Sequence, residues 1–407
     1  MNIVMLTPDC YMIDRRILLE AQTLVKQGHK VRILAGFECP KEEHYVEKGV
    51  FIDRYQYDWD DELLKVIREM LPANDKIRMF VNRVYMYLAR RYSAISPFER
   101  FMIARALEHE ADVYHVHDLP CLKAGWHAAK ARKVPLVYDA HELYYAQDVL
   151  PPKLQKRYFE LEKAYIKYPQ AVITVNPFIG KLMAERYGIP IPEIIMNCTE
   201  LPPDFQYGNS LLREKADLPD NAKIVLYQGW LSAERNIDTI IQGVKWFPEN
   251  TYLVIIGYGQ HEAKLREIAS QAEIEGKVRF IGQVPSDEMV HYSTGANLGV
   301  IPYLPIDDNH RYCSPNKFFE FVIAGVPIIS HELSFFTTMK EEYSVVQTTN
   351  MESAEAFGRT VCQLISDSEL LRQMKANCLE AAQQLNWEQE GKKLLRVYNR
   401  LVHSVNN

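Results

Sequence analysis

The chain has 407 residues, 25% of them charged and 47% hydrophobic, with a net charge of −6. That length exceeds one ordinary hydrophobic core and predicts two domains of roughly 150–200 residues. The acidic balance argues against a general nucleic-acid binder, and seven cysteines without C-x-x-C spacing argue against a disulfide framework or structural zinc and for a reducing, cytoplasmic compartment.

From the amino end, Met1–Leu6 lacks the layout of a signal peptide and reads as a first strand. Short runs rich in Val and Ile at 3–6, 31–34, 113–117, 136–139, 172–175 and 194–196 alternate with amphipathic segments. That is the grammar of a parallel sheet covered on both faces. Residues 76–106 depart from it: Lys76, Arg78, Arg83, Arg90, Arg91, Arg100 and Arg105 face only Glu99, a net +6, with Phe80, Tyr85, Tyr87, Tyr92, Phe98 and Phe101 interleaved. Two readings stand for this segment. It suits an anionic membrane surface or a lipid-linked acceptor, or it is a helical pair packed on the sheet with solvated arginines. The periodicity breaks over 197–219, around Leu201-Pro202-Pro203-Asp204, which marks a seam. Beyond it the grammar repeats at 224–227, 252–256, 278–281, 298–302, 328–330 and 345–347. Two βα series predict an α/β chain of two doubly wound domains facing each other, over 1–200 and 201–385. Apolar residues at 387, 394, 395, 398 and 401 predict a last helix within 386–407, in the second domain or crossing back to the first. No apolar run reaches the 18 or so residues of a membrane span.

In open parallel sheets ligands bind beyond the carboxyl ends of the strands. In the first half two neighbouring runs end in His115-Val116-His117-Asp118 and Asp139-Ala140-His141-Glu142. His117, Asp118, Asp139, His141 and Glu142 could form a metal cluster, an acid/base pair or a hydroxyl-recognition rim. The metal reading is the weakest, since no His pair at helical spacing and no Cys partner is present. Asp58-Trp59-Asp60 merely opens an acidic run with no apolar strand before it. In the second half Gly229 ends a strand and permits close backbone approach. Arg235, at the following helix start, suits a phosphate, or is a solvated arginine beside Glu234. Gly257-Tyr258-Gly259 lacks the third glycine of a dinucleotide fingerprint, and Gly282-Gln283 is a strand-end loop whose backbone could face a nucleobase. The richest stretch is Cys313-Ser314-Pro315-Asn316-Lys317-Phe318-Phe319-Glu320. Ser314 suits an N-cap and Pro315 the first helical position. The helix start favours an anion, Lys317 adds a cation, and Glu320 lies on the same face three residues on. A diphosphate joined to a ribose would satisfy both groups.

These pieces occur in a recognisable order: Asp14-x-Arg16 with Gly28-His29-Lys30-Val31, His115-x-His117-Asp118, Tyr138-Asp139-x-His141-Glu142-Leu143-Tyr144, Val172-Ile173-Thr174-Val175-Asn176, Gly257-x-Gly259, and Ser314-Pro315-Asn316-Lys317-x-Phe319-Glu320 with Gly325-x-Pro327. Over nearly its full length the chain resembles the retaining glycosyltransferases of the GT-B fold, within glycosyltransferase family 4. The resemblance implies two Rossmann-like domains around a cleft and a nucleoside-diphosphate sugar, UDP or GDP, held mainly by the second domain. Gly229, Gly257, Gln283, Ser314, Asn316 and Glu320 would bind that donor, Glu320 through the ribose hydroxyls. Lys317 and Arg235 would neutralise the leaving diphosphate. It also implies a glycan or lipid-linked acceptor met by Asp14, Arg16 and Glu142, with His117, Asp118 and His141 at the donor sugar or incoming hydroxyl. Neither a cofactor nor an obligatory metal is implied, and the leaving phosphate itself takes the acceptor proton. Two positions depart from the family pattern: Tyr312 stands where a second glutamate is usual, and Trp230 where an arginine is usual. They keep two other readings open, a nucleotide-sugar epimerase and an inactive binding or scaffold subunit.

Overall fold

The centre of the first sheet is strand β1, Asn2–Thr7, which pairs in parallel with β2 (Lys30–Ala35) on one side and β5 (Val113–His117) on the other. Ile3, Val4, Met5 and Leu6 are all buried, whichever face they point to, as expected of a strand covered on both sides. With β3 (Glu43–Glu47), β4 (Val50–Arg54), β6 (Leu136–Ala140), β7 (Ala171–Thr174) and β8 (Glu193–Ile194), the order is β3-β4-β2-β1-β5-β6-β7-β8. All pairs are parallel except β3 with β4. That hairpin was not expected from the sequence; its turn is Lys48-Gly49, with φ of 47° and 83°, the two-residue primed turn that matches strand twist. The computed structural model describes residues 1–9, 12–36, 41–56, 70, 76–81, 83–84, 95–147 and 150–405.

Helix α1, Arg15–Lys26, starts at Asp14, whose carboxylate accepts from the Arg16 N–H at 2.7 Å, and buries Ile17, Ala21 and Leu24. Helix α2, Pro97–Leu107, carries a full capping box between Ser96 and Glu99 and buries Phe98 and Met102. Its Glu99 pairs with Lys123 at 3.0 Å, and Arg105 lies over the Tyr55 and Phe101 rings. The end of the basic segment is therefore packed structure, while Ile77, Met79, Phe80 and Val84 are exposed. Tyr85, Tyr87, Arg90, Arg91 and Tyr92, like Asp58 to Asp60, lie outside the described residues. Helix α3, Asp118–Arg132, follows β5 without a linker, and Asp118 makes the elbow at φ 58°, a left-handed conformation that aspartate tolerates better than most residues.

The second sheet holds β9 (Lys223–Gln228), β10 (Thr251–Ile256), β11 (Val278–Gly282), β12 (Leu298–Ile301), β13 (Ile328–Ser330) and β14 (Val346–Thr348), all parallel, in the order β11-β10-β9-β12-β13-β14. Val225, Tyr227, Leu253, Ile255 and Val300 build its core with Ile237, Ile240 and Ile241 of α4 (Ile237–Gln242). Each such side chain contributes about 1.5–3 kcal/mol when fully buried. Two short helices follow β12: α5 (Asp308–Tyr312) and α6 (Asn316–Ile323). Phe318, Phe319 and Phe321 of α6 are wholly buried, and Phe318 meets the Phe335 ring edge-to-face at 5.0 Å. That anchor fixes the helix face bearing Lys317 and Glu320. The helix starts one residue later than the sequence suggested: Pro315, not Ser314, occupies the cap position. A proline ring fixes φ and lacks an N–H, so it suits this entry as well as the first turn.

The chain divides into two units, Met1–Ile195 with Lys393–Asn407, and Met196–Lys392. The final helix, α7 (Trp387–Val405), begins in the second unit and ends in the first.

Candidate active site

In the first unit the strand ends converge on one buried arginine. Arg16 donates to both oxygens of Asp139, at 3.0 and 3.1 Å, and to the Ile195 carbonyl at 2.6 Å. It also pairs with Glu20 at 3.1 Å. Burial would raise the Asp139 carboxyl, but the Arg16 and His141 charges hold it well below the ordinary value. Glu20 goes the other way: burial and the neighbouring Asp139 push it well up, which the Arg16 charge only partly offsets. Arg16, implied above as an acceptor contact, is thus a clamp inside the protein, and Asp14 is occupied as the α1 cap.

The histidines line up beside this cluster. The His115 and His117 rings stack at 4.5 Å. His115 Nδ1 meets the Tyr398 hydroxyl of α7 at 2.9 Å, and His117 Nδ1 meets His141 Nε2 at 3.2 Å. Burial lowers His115 to about 4. His117 falls well below its usual value through burial and its two histidine neighbours. For His141 burial works against the charge, yet Asp118 and Asp139 raise it to about 10. A charged His141 carries a proton on each nitrogen, so it donates to the neutral His117. Asp118, whose carboxyl burial pushes up against the His141 charge, accepts from the His141 backbone N–H at 3.1 Å. His117, Asp118 and His141 therefore come together, and the His141 and Asp118 side chains keep 14% and 20% of their surface exposed. Glu142, at the same rim, accepts from Gln147. Ligand atoms of Glu20, His115, His117 and Asp139 lie within 4.8 Å of one another, spacing that could hold a metal ion. The Arg16 guanidinium already matches their negative charge, so a divalent cation there would add positive charge beside a buried one.

The second unit assembles a different group at its strand ends. Lys317, nearly buried, places its ammonium 4.5 Å from the centre of the Tyr227 ring and 5.0 Å from that of Tyr303. Arg235 lies over Tyr303 at 4.5 Å, and its Nε is buried without a hydrogen-bond partner. Asn236, at φ 55°, holds this turn by donating to the carbonyls of Pro302 and Met351 at 3.0 and 2.8 Å. Gly229 makes room, because a Cβ there would sit 2.9 Å from Lys317 Nζ. Burial first, then the Arg235 charge, push Lys317 down to about 7. Burial also pushes the Tyr303 hydroxyl and the Cys313 thiol up to about 12. On the next turn of α6, Glu320 accepts from Gln228 Nε2 at 2.5 Å, and Gln228 accepts in turn from Ser293 at 2.8 Å.

Gly229, Arg235, Lys317 and Glu320 thus meet at the carboxyl end of β9; Ser314 is buried, and Asn316 and Gln283 are exposed. Gly257 acts through its missing side chain. A Cβ on it would lie 1.9 Å from the Gly229 carbonyl, so glycine lets the β9 and β10 loops touch backbone to backbone. The sequence reading missed Tyr227 and Tyr303, although both stand at strand ends where ligands are expected. It also missed the pair Asp307 and His310, in which both carboxylate oxygens sit 3.0 Å from the imidazole Nδ1 and the ring meets Tyr303 edge-on at 5.8 Å.

Residues 13–199 match the family model described as Glycosyltransferase Family 4, and residues 209–380 that of Glycosyl transferases group 1. A D-inositol 3-phosphate glycosyltransferase of Xylanimonas cellulosilytica is 21% identical, over 70% of this chain and 71% of that protein. Sucrose-phosphate synthase from Thermosynechococcus elongatus superposes with a TM-score of 0.74 at 16% identity, covering 99% of both chains. HepE of Anabaena, solved in complex with UDP, superposes with a TM-score of 0.69 at 13% identity, over 98% of this chain and 100% of its own. The two parallel-sheet units and two consecutive family matches agree, and the chain belongs to the glycosyltransferases of the GT-B fold.

Proposed function

We propose that the protein transfers a sugar from a nucleoside-diphosphate sugar, UDP- or GDP-linked, to a glycan or lipid-linked acceptor in cell-surface polysaccharide synthesis. The anomeric configuration is retained, and neither a cofactor nor a metal ion is required. The observation that carries this reading is the pair Lys317, buried, and Arg235, half-buried, both set against the Tyr303 ring. A diphosphate supplies the negative charge that such a pair lacks. Fixed cations in a dry site stabilise the charge that grows on a leaving diphosphate more strongly than water does. Glu320, one turn further on, accepts hydrogen bonds from the ribose hydroxyls. UDP bound to the similar HepE is in keeping with this donor class.

In the reaction the acceptor oxygen bonds to the anomeric carbon as the bond from that carbon to the diphosphate oxygen breaks. The acceptor proton passes to the departing phosphate, so no protein base is assigned. On the acceptor side, the charged His141, held by Asp118 and backed by the neutral His117, donates to a sugar hydroxyl and fixes its position. Lys76, Arg78 and Arg83, with the exposed Ile77, Met79, Phe80 and Val84, favour docking at an anionic membrane surface. No helix among the described residues is long and apolar enough to cross a membrane.

Thermal unfolding with UDP, GDP and their sugars tests the donor, because a ligand of the folded state must raise the melting temperature. A shift by one nucleotide and its sugar is expected, with product formation undiminished in chelator. Failure of every nucleotide to shift the transition would refute the donor, and strict dependence on added Mn²⁺ would refute the role given to the two cations.

A further inference from the structure

The surroundings of Lys317 differ from those of a solvated phosphate-binding lysine. From β9 it is faced by the Tyr227 ring, and from the loop after β12 by the Tyr303 ring. The turn after β9 presents Arg235, and the loop before α6 presents the Cys313 thiol. Its own helix contributes Glu320, which acts on it as a distant charge and is hydrogen-bonded to Gln228. Among the described residues no carboxylate oxygen lies within ion-pair distance of Lys317 Nζ. Of the other charged groups nearby, Glu234 lies 4.0 Å from Arg235 and partners the guanidinium rather than the ammonium, and Asp307 holds His310. Lys317 is buried beside the half-buried Arg235 guanidinium with no carboxylate at its own Nζ, so its charged form is costly. The guanidinium keeps its proton under all ordinary conditions, so the ammonium is the group that yields.

We propose that, at neutral pH and above, the diphosphate of the donor draws a proton from solution onto Lys317 as it binds, so that the occupied site carries both positive charges. This rests on the donor assignment above and adds to it a step in which substrate completes the charge of its own site. The direction follows from linkage. Burial and Arg235 lower the free amine to about 7, whereas a bound diphosphate holds the proton on. Below about pH 6.5 the free site is already charged, and affinity does not vary with pH through this group. Above about pH 7.5 each pH unit weakens binding about tenfold, because the proton must be taken up.

Isothermal titration of the full chain with UDP-glucose and with GDP-mannose, in two buffers of different ionisation enthalpy, measures the proton directly. Both ligands are diphosphate diesters with no proton of their own to exchange near neutrality. The expected uptake is about half a proton per donor at pH 7 and close to one at pH 8. Lys317→Arg, which stays charged, and Lys317→Met, which cannot be charged, should both lose the pH slope, whatever affinity each retains. Binding without buffer-dependent heat, or a slope that persists in both variants, overturns the proton uptake while leaving the donor assignment intact. No binding of either sugar nucleotide, with UDP and GDP equally silent, overturns the donor assignment itself.

Discussion

Each unit places an arginine at the carboxyl ends of its strands, Arg16 buried and Arg235 half-buried, and the two are treated in opposite ways. Arg16 is closed off: Asp139 takes it at both oxygens, Glu20 lies beside it, and the Ile195 carbonyl accepts from its remaining arm. Arg235 is left open, half-buried and stacked on Tyr303 beside the buried Lys317, with Glu234 at 4.0 Å. A closed ion cluster holds strand ends in place and gains little from a ligand. An open pair of like charges gains much from an anion. Burial of a charge is therefore a poor guide to function until its partners are counted.

Removing each cation separates the two designs. Arg16→Met should lower stability by about 3–5 kcal/mol, because the buried Asp139 loses both hydrogen bonds of its guanidinium partner; chemical denaturation measures it. A loss below about 1 kcal/mol would erase the distinction. Lys317→Ala should do the reverse, cutting turnover by about 10²–10³-fold with the melting temperature unchanged or raised, since a buried amine with no carboxylate partner is removed. Loss of stability in step with activity would place it in the same class as Arg16. The third prediction concerns pH. His141 is raised to about 10 from an ordinary 6.5, so the stability it contributes is full below about pH 6.5 and lost as pH rises through about 10. The gap in melting temperature between the natural protein and His141→Asn should accordingly be widest in mild acid and close in alkali. A gap independent of pH would mean that the imidazole is not charged. Tyr398→Phe should have the smallest effect, about 1 kcal/mol for one buried hydrogen bond, with the first unit destabilised and nucleotide binding unaltered.

Much of this was legible in the chain before folding. The apolar runs gave up their strands because both faces of each sheet are covered, leaving nearly continuous Val and Ile. The β3–β4 hairpin stayed hidden since Glu43-His44-Tyr45-Val46-Glu47 reads as charged surface; its one signal was Lys48-Gly49. Arg235, Lys317 and Glu320 were visible because strand-end and helix-start chemistry is local. Their aromatic box was not, as Tyr227 looks like core and Tyr303 like the end of a strand. The partners of Arg16 were beyond reach altogether: Asp139 lies 123 residues away and the Ile195 carbonyl 179. Pairing at that separation is set by sheet order rather than by any motif.

The hydroxyl that meets His115 belongs to Tyr398, 283 residues later in the chain and part of a helix completed only after the whole second unit. During synthesis the first unit must therefore wait. Its sheet can form early, but His115 lacks that partner until the last helix leaves the ribosome and returns. Since domains tend to fold as they emerge, the second unit should reach its final state first, and the first unit should remain vulnerable to proteases until Tyr398 and its helix have been made.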